Sequence, residues 1–322
     1  MTVPRGILVA VGGAEDKKDD MVVLRRVIDE VKGEAERVEV IAGASREPRE
    51  AAAPYLRAFE EMGIKQVDWM AMDGKREADA KETVERLRKA DVIYFTGGDQ
   101  VRLSETLRGS KALDVIRERY EQGAVVAGTS AGAAAMSEVM LARGTVEGGL
   151  NKGNVSTDGG LGLMPHTIID THFVQRGRFA RLMEAVAHEP ELTGIGISED
   201  TAIIVREGHK LEVVGSDNVI IFDGTEVLHT NADEADRGEA LIVARVVVHA
   251  LAAGCHYDLE TRELRVPKVD TIALRQDGGR TPTRRRPERP TAERKERARE
   301  EDPEEADEAE GGEKVAERRR AK

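Results

Sequence analysis

Cysteine occurs once in 322 residues, at Cys255. A single cysteine excludes an intrachain disulfide framework and a thiolate metal cluster. No apolar run approaches the roughly 20 residues that a membrane-spanning helix needs. The N-terminus, Met1-Thr2-Val3-Pro4-Arg5, leads straight into a short strand-like run. It lacks the apolar stretch and cleavage site of a secretory signal, so a cytoplasmic protein with no membrane partner is expected. A basic surplus is also missing, with 61 acidic against 49 basic side chains. That balance argues against general nucleic-acid binding.

The charge is spread unevenly. From Arg275 to Lys322 there are 14 acidic and 15 basic residues, no aromatic residue, and Val315 as the only large aliphatic. Such a stretch cannot bury enough apolar surface to offset its chain entropy and is expected to be disordered. The clusters Arg284-Arg285-Arg286 and Arg318-Arg319-Arg320 are interleaved with glutamates and read as parts of a solvated spacer. The chain is therefore expected to hold one folded domain over residues 1–274 and a charged tail over 275–322.

Up to about residue 140 the chain alternates short apolar runs with amphipathic stretches. Gly6–Val11, Val38–Ala42, Val67–Met70, Val92–Thr96 and Ala124–Ala127 suit buried strands. Met21–Val31, Pro48–Met62, Ala78–Ala90 and Lys111–Glu121 carry apolar residues at three- and four-residue spacing, which predicts helices. This alternation predicts an α/β fold with a doubly wound, mostly parallel sheet and ligands beyond the carboxyl ends of its strands. After residue 195 the pattern shifts to β-rich pieces, Ala202–Val205, Leu211–Val214, Val219–Phe222 and Leu241–His249, expected as an antiparallel extension on the same domain.

Three of the predicted strands end in unusual loops: Gly12-Gly13-Ala14-Glu15-Asp16, Gly97-Gly98-Asp99-Gln100, and Gly128-Thr129-Ser130-Ala131-Gly132. The last has the Gly-x-Ser-x-Gly form of a strand-to-helix turn that holds a serine oxygen above a sheet as a nucleophile. A serine hydroxyl needs a base and a group that orients the base. His172, at the end of Ile168-Ile169-Asp170-Thr171-His172, is the first candidate for the base, with His166 as a nearby competitor. Glu199, after the apolar run Ile195–Ile197, is the first candidate orienter, and Asp200 is its alternative. For the oxyanion, the backbone N–H groups of Ala131 and Gly98 are the natural donors. Arg176, Arg178 and Arg181 follow His172 closely, and three guanidiniums there suit carboxylate recognition.

Five motifs in this order resemble the cyanophycinases, within the serine-peptidase family that also contains the aspartyl dipeptidases. They are Gly12-Gly13-Ala14-Glu15-Asp16-Lys17; Phe95-Thr96-Gly97-Gly98-Asp99-Gln100; Gly128-Thr129-Ser130-Ala131-Gly132-Ala133; Asp170-Thr171-His172-Phe173 with Arg176-Gly177-Arg178; and Gly196-Ile197-Ser198-Glu199-Asp200-Thr201-Ala202. The resemblance implies a fold akin to the glutamine amidotransferases, a homodimer, and no metal or other cofactor. It implies hydrolysis of cyanophycin, a polyaspartate bearing arginine on its side-chain carboxyls, to β-aspartyl-arginine dipeptides. It gives Ser130 as nucleophile, His172 as base and Glu199 as orienter, with Gln100, Asp170, Arg176, Arg178 and Arg181 lining the substrate pocket.

The family's cyanophycin-cleaving members have glutamine where this chain has Thr171, which lacks the amide's paired donor and acceptor. That difference keeps other β-aspartyl or acidic peptides open as substrates. Two further readings stand beside these: an α/β-hydrolase esterase, whose order of serine, acid and histidine this chain does not follow, and a non-enzymatic ligand-binding scaffold.

Overall fold

The computed structural model describes residues 3–33, 35–145 and 149–267. The charged tail expected over 275–322 lies outside the described residues. A first compact unit runs to Leu264. In the first unit the early strands are β1 (Ile7–Val11), β2 (Arg37–Ile41), β3 (Gln66–Met70), β4 (Val92–Phe95) and β5 (Val125–Thr129). They alternate with helices α1 (Val22–Asp29), α2 (Pro48–Glu61), α3 (Lys75–Ala78), α4 (Lys81–Arg88), α5 (Gln100–Leu107) and α6 (Lys111–Gln122). A short helix α7 (Ala131–Ala135) leads to β6 (Ser137–Gly144), β7 (Val155–Gly159) and β8 (Met164–Asp170), and α8 (Phe179–His188) follows. The remainder is β9 (Thr193–Ile197), β10 (Thr201–Arg206), β11 (Lys210–Gly215), β12 (Val219–Asp223), the small pair β13 (His229–Thr230) and β14 (Val243–Ala244), β15 (Val247–Leu251) and β16 (His256–Asp258).

All five early strands and the four helical stretches form where the pattern of apolar residues places them. The predicted helix over Ala78–Ala90 is broken, however: Asp79 and Ala80 separate α3 from α4. Helix α5 is set by its cap rather than by periodicity. The Asp99 carboxylate accepts the N–H groups of Val101 and Arg102, satisfying two first-turn donors.

Within the first unit the larger sheet runs β16-β11-β10-β1-β5-β4-β2-β3. From β1 to β3 every pairing is parallel, as the alternation predicts. From β1 outward through β10, β11 and β16 the pairing is antiparallel. A second sheet, β15-β12-β9-β8-β6-β7, has a parallel centre in which β8 lies between β6 and β9. The β-rich extension is thus divided, β10 and β11 joining the first sheet while β12 and β15 join the second.

Side chains alternate across the buried strands, so each face of the first sheet has its own core. Val9, Val11, Val40, Tyr94 and Ala127 face α1 and α2 through Leu24, Val27, Tyr55 and Phe59. Leu8, Ala10, Ile93, Phe95 and Val126 belong to the opposite core, with Leu87, Leu103 and Ile116 of the other helices and Ile169, Ile195 and Ile197 of the second sheet. The far face of the second sheet packs Ile168, Ile220 and Phe222 against Leu182 and Val186 of α8 and against Phe173.

Strand β9 reads Thr193-Gly194-Ile195-Gly196-Ile197, with its glycines on the α8 face. A Cβ on Gly196 would lie 2.4 Å from the Phe173 ring. Gly196→Ala is therefore expected to destabilise the fold by about 1–3 kcal/mol through overpacking, read as a lowered denaturation midpoint at unchanged slope.

Candidate active site

The site forms where the two sheets meet. Strands β1 and β5 of the first sheet end beside β8 and β9 of the second, and the chain crosses between the sheets at Ser198-Glu199-Asp200. Three consecutive carbonyls of one segment hold the junction. Val11 O accepts the N–H of Ser130 at 3.0 Å, Gly12 O that of His172 at 2.7 Å, and Gly13 O that of Asp200 at 2.9 Å. Gly12 N–H closes the set by donating to Thr201 O at 2.9 Å. A side chain fits at neither glycine. A Cβ on Gly12 would stand 2.0 Å from Ser198 O, and one on Gly13, whose φ is 92°, would stand 2.3 Å from the His172 ring.

This scaffold brings together the three residues expected to act as a unit. Ser130 Oγ is 3.0 Å from His172 Nε2, and His172 Nδ1 is 3.0 Å from Glu199 Oε1. With Nδ1–H donating to the carboxylate, Nε2 presents its lone pair to the serine O–H. Proton transfer along that line is the chemistry a serine nucleophile requires. Ser130 and His172 are buried, while the Glu199 side chain is 24% exposed. Ser130 has φ 50° and ψ −116°, a sparsely populated region that persists only where the surroundings over-determine it. Gly128 and Gly132 leave room for that turn, since a Cβ on either would come within 2.7 Å of a neighbouring atom.

The alternatives left open by the sequence, His166 and Asp200, have other surroundings. The His166 side chain is 83% exposed and 3.8 Å from Glu138. The Asp200 carboxylate accepts the N–H of Asp16 at 3.1 Å, and burial raises its pKa above the ordinary value, with Glu15 and Asp16 adding in the same direction. Gln175, which the sequence did not single out, supports the acid. Its Oε1 accepts the backbone N–H of Glu199 at 3.0 Å, and its Nε2 donates to Asp217 at 3.0 Å. Its proximity to the Arg176-Gly177-Arg178 motif was the available signal.

Beneath the serine lies a second unforeseen group. Glu15 is buried, and its two oxygens accept hydroxyls from Tyr55 at 2.7 Å, Tyr94 at 2.8 Å and Thr129 at 2.7 Å. Burial alone would raise its pKa. The Lys17 ammonium, 3.7 Å away, and the hydroxyl donors outweigh that effect and hold the carboxyl below its ordinary value. Burial beside this anion pushes the Tyr94 phenol well above its own.

The basic cluster is arranged differently from a row of open guanidiniums. Asp170, expected to line the pocket, is only 1% exposed. It lies 3.1 Å from Arg178 Nη1 and 3.2 Å from Arg181 Nε, both arginines being buried as well. Arg178 also donates to Thr171 O at 3.0 Å. Arg176 is half-buried at the start of this stretch. The Gln100 amide donates to Leu141 O and Ala142 O of β6, which fixes its orientation. Ala131 opens α7, so its N–H has no acceptor within the helix. Gly98 has φ 132° and lies against Ala44 O, where a Cβ would stand 2.5 Å away. Among the described residues no group of three or more His, Cys, Asp or Glu side chains is placed to hold a metal ion. No helix there is long and apolar enough to cross a membrane.

A nucleophile turn after a parallel strand, with a histidine and a carboxylate in hydrogen-bonded sequence, defines a hydrolase arrangement on an α/β scaffold. The family model described as "Peptidase family S51" matches residues 7–213. The chain belongs to that family and is a peptidase. It is 36% identical over 267 residues to a cyanophycinase from Nostoc sp., covering 83% of this chain and 89% of the relative. It is 34% identical over 261 residues to a cyanophycinase from Synechococcus elongatus, covering 81% of each. The crystal structure of a peptidase from an acI-B1 Actinobacterium shares the fold, with a TM-score of 0.59, 21% identity, and coverage of 80% of this chain and 98% of that one. The family resemblance carried by the five motifs is borne out.

Two outcomes are expected. Gly13→Ala, strained at positive φ and driven into the imidazole, should lower kcat by about 100-fold or more while the circular dichroism spectrum is kept. Glu15, its carboxyl depressed below the ordinary 4.5, contributes stability that is fully present above that pH and is lost as pH falls through the folded-state pKa. The stability gap between the wild type and Glu15→Gln, measured by urea denaturation, should be full at neutral pH and narrow on acidification below about 4.5.

Proposed function

We propose that this peptidase is a serine-type exopeptidase of the cyanophycinase kind, releasing β-aspartyl-arginine dipeptides from cyanophycin through an acyl-enzyme. The observation that carries the reading is the continuous hydrogen-bonded line from Ser130 through His172 to Glu199. Ser130 Oγ attacks the backbone carbonyl as its proton passes to His172 Nε2. The oxyanion is received by the N–H groups of Ala131 and Gly98. The imidazolium, steadied by Glu199, returns the proton to the leaving amine, and the C–N bond breaks. Water then enters with His172 as base, and the acyl–oxygen bond to Ser130 is cleaved.

Recognition falls to Gln100, Arg176, Arg178 and Arg181, with Asp170 holding the last two in place. A substrate rich in carboxylates matches those guanidiniums. A homodimer working in the cytoplasm completes the proposal. Thr171 favours a second substrate class: buried in the position that carries glutamine in the family's cyanophycin-cleaving members, it offers less hydrogen bonding to an arginine-bearing side chain. Other β-aspartyl or acidic peptides are that class.

Incubation with insoluble cyanophycin should give soluble β-aspartyl-arginine, and Ser130→Ala should lower the rate by about 10⁴-fold or more with the fold intact. Retained hydrolysis in that variant contradicts the serine mechanism. Cleavage of simple β-aspartyl dipeptides alone would move the substrate to the second class.

A further inference from the structure

The family motif around Gly12 contains a buried charge to which the hydrolytic steps above assign no role. Taking a carboxylate out of water costs several kcal/mol, so a buried one persists only where its partners are good. Glu15 has such partners, and their placement is informative. Its Oε1 takes the hydroxyls of Tyr55 on α2 and Tyr94 on β4, and its Oε2 takes that of Thr129, the last residue of β5. An ionised carboxylate only accepts, so all three hydroxyls must turn their protons toward it. The Thr129 hydroxyl is thereby fixed one residue before the strained nucleophile.

On either side of the Thr129–Ser130 peptide, a tie therefore runs to the same short segment. Ser130 N–H reaches Val11 O, and the Thr129 hydroxyl reaches Glu15. Between those two anchors lie Gly12 and Gly13, whose carbonyls hold the backbones of His172 and Asp200. We propose that Glu15 is a positioning residue: it clamps the strand end that bears Ser130 to the loop that holds His172 and the Glu199–Asp200 turn. Its charge keeps the clamp closed, because an ionised carboxylate accepts all three hydroxyls at once, whereas the NH2 of a neutral amide in its place would force a hydroxyl that now donates to turn round and accept. This role rests on the reading of Ser130 as nucleophile and His172 as its base.

The test compares Glu15→Gln, Thr129→Val and the double variant in the full-length protein. The readouts are steady-state hydrolysis of cyanophycin and the rate of Ser130 modification by a fluorophosphonate, both at a temperature well below unfolding. Each single variant should lower kcat by about 10- to 100-fold with KM within about threefold, and slow the modification by a similar factor. The double variant should be no slower than the worse single, because both cut one tether. A merely structural Glu15 predicts lower melting temperatures with kcat and labelling within about twofold of wild type, or losses that multiply in the double variant; either result overturns the proposal. If Glu15→Gln does not fold, Thr129→Val, which keeps the side-chain shape, decides by the same readouts. Hydrolysis surviving in Ser130→Ala would instead remove the serine reading beneath it. An inactive Ser130→Ala beside unaffected Glu15→Gln and Thr129→Val would remove only the role of Glu15.

Discussion

Three successive peptide carbonyls, those of Val11, Gly12 and Gly13, accept N–H groups from Ser130, His172 and Asp200. The three acceptors are consecutive, Val11 closing β1 and Gly12 and Gly13 opening the loop after it, whereas the three donors come from distant parts of the sequence and from both sheets. Backbone hydrogen bonds of this kind have little freedom to shift, since Val11 is fixed by the strand pairing of β1 with β5 and β10 and Gly12 by its own N–H bond to Thr201 O. The relay of side chains is therefore only as exact as the register of those pairings. Two glycines in sequence are the steric condition for it, because the neighbours approach more closely than any Cβ allows.

That constraint explains why the site sits between two sheets rather than at the edge of one. In an open parallel sheet the ligand crevice lies beyond the carboxyl ends of the strands. Here the serine comes from such an end, β5, while the histidine and the acid come from the ends of β8 and β9 in the second sheet. The passage from β9 to β10 carries the chain from one sheet to the other within three residues, and Glu199 lies on that passage. Its backbone is pinned by Gln175 and by the turn at Asp200, so the carboxylate meets the imidazole without a long side-chain search.

Much of this was legible in the sequence, for local reasons. Buried strands announce themselves as short apolar runs, and the five early ones form where expected. The serine turn has a local chemical signature, and His172 and Glu199 each follow an apolar run, so the strand-end rule found them. What was not legible depends on partners distant in the chain. The second sheet requires β6 and β8 to pair across a connection whose apolar pattern is weak, and β12 to leave its neighbour β11 for β9. Gln175 and Glu15 have no periodicity to mark them. Their roles come from contacts with Asp217, Tyr55, Tyr94 and Thr129, which only the folded chain supplies. The arrangement of the arginine cluster was not legible either: Arg178 and Arg181 suit an anion by composition, and only the folded chain sets Asp170 at 3.1 and 3.2 Å from them.

The central claim is that the geometry makes one serine oxygen a nucleophile, through one imidazole. Tandem mass spectrometry after exposure of the protein to a fluorophosphonate tests it most directly. The account predicts a single adduct on Ser130, and its disappearance in a folded His172→Ala variant. An adduct on another serine, no adduct on the folded wild type, or undiminished labelling of Ser130 without His172 would contradict it.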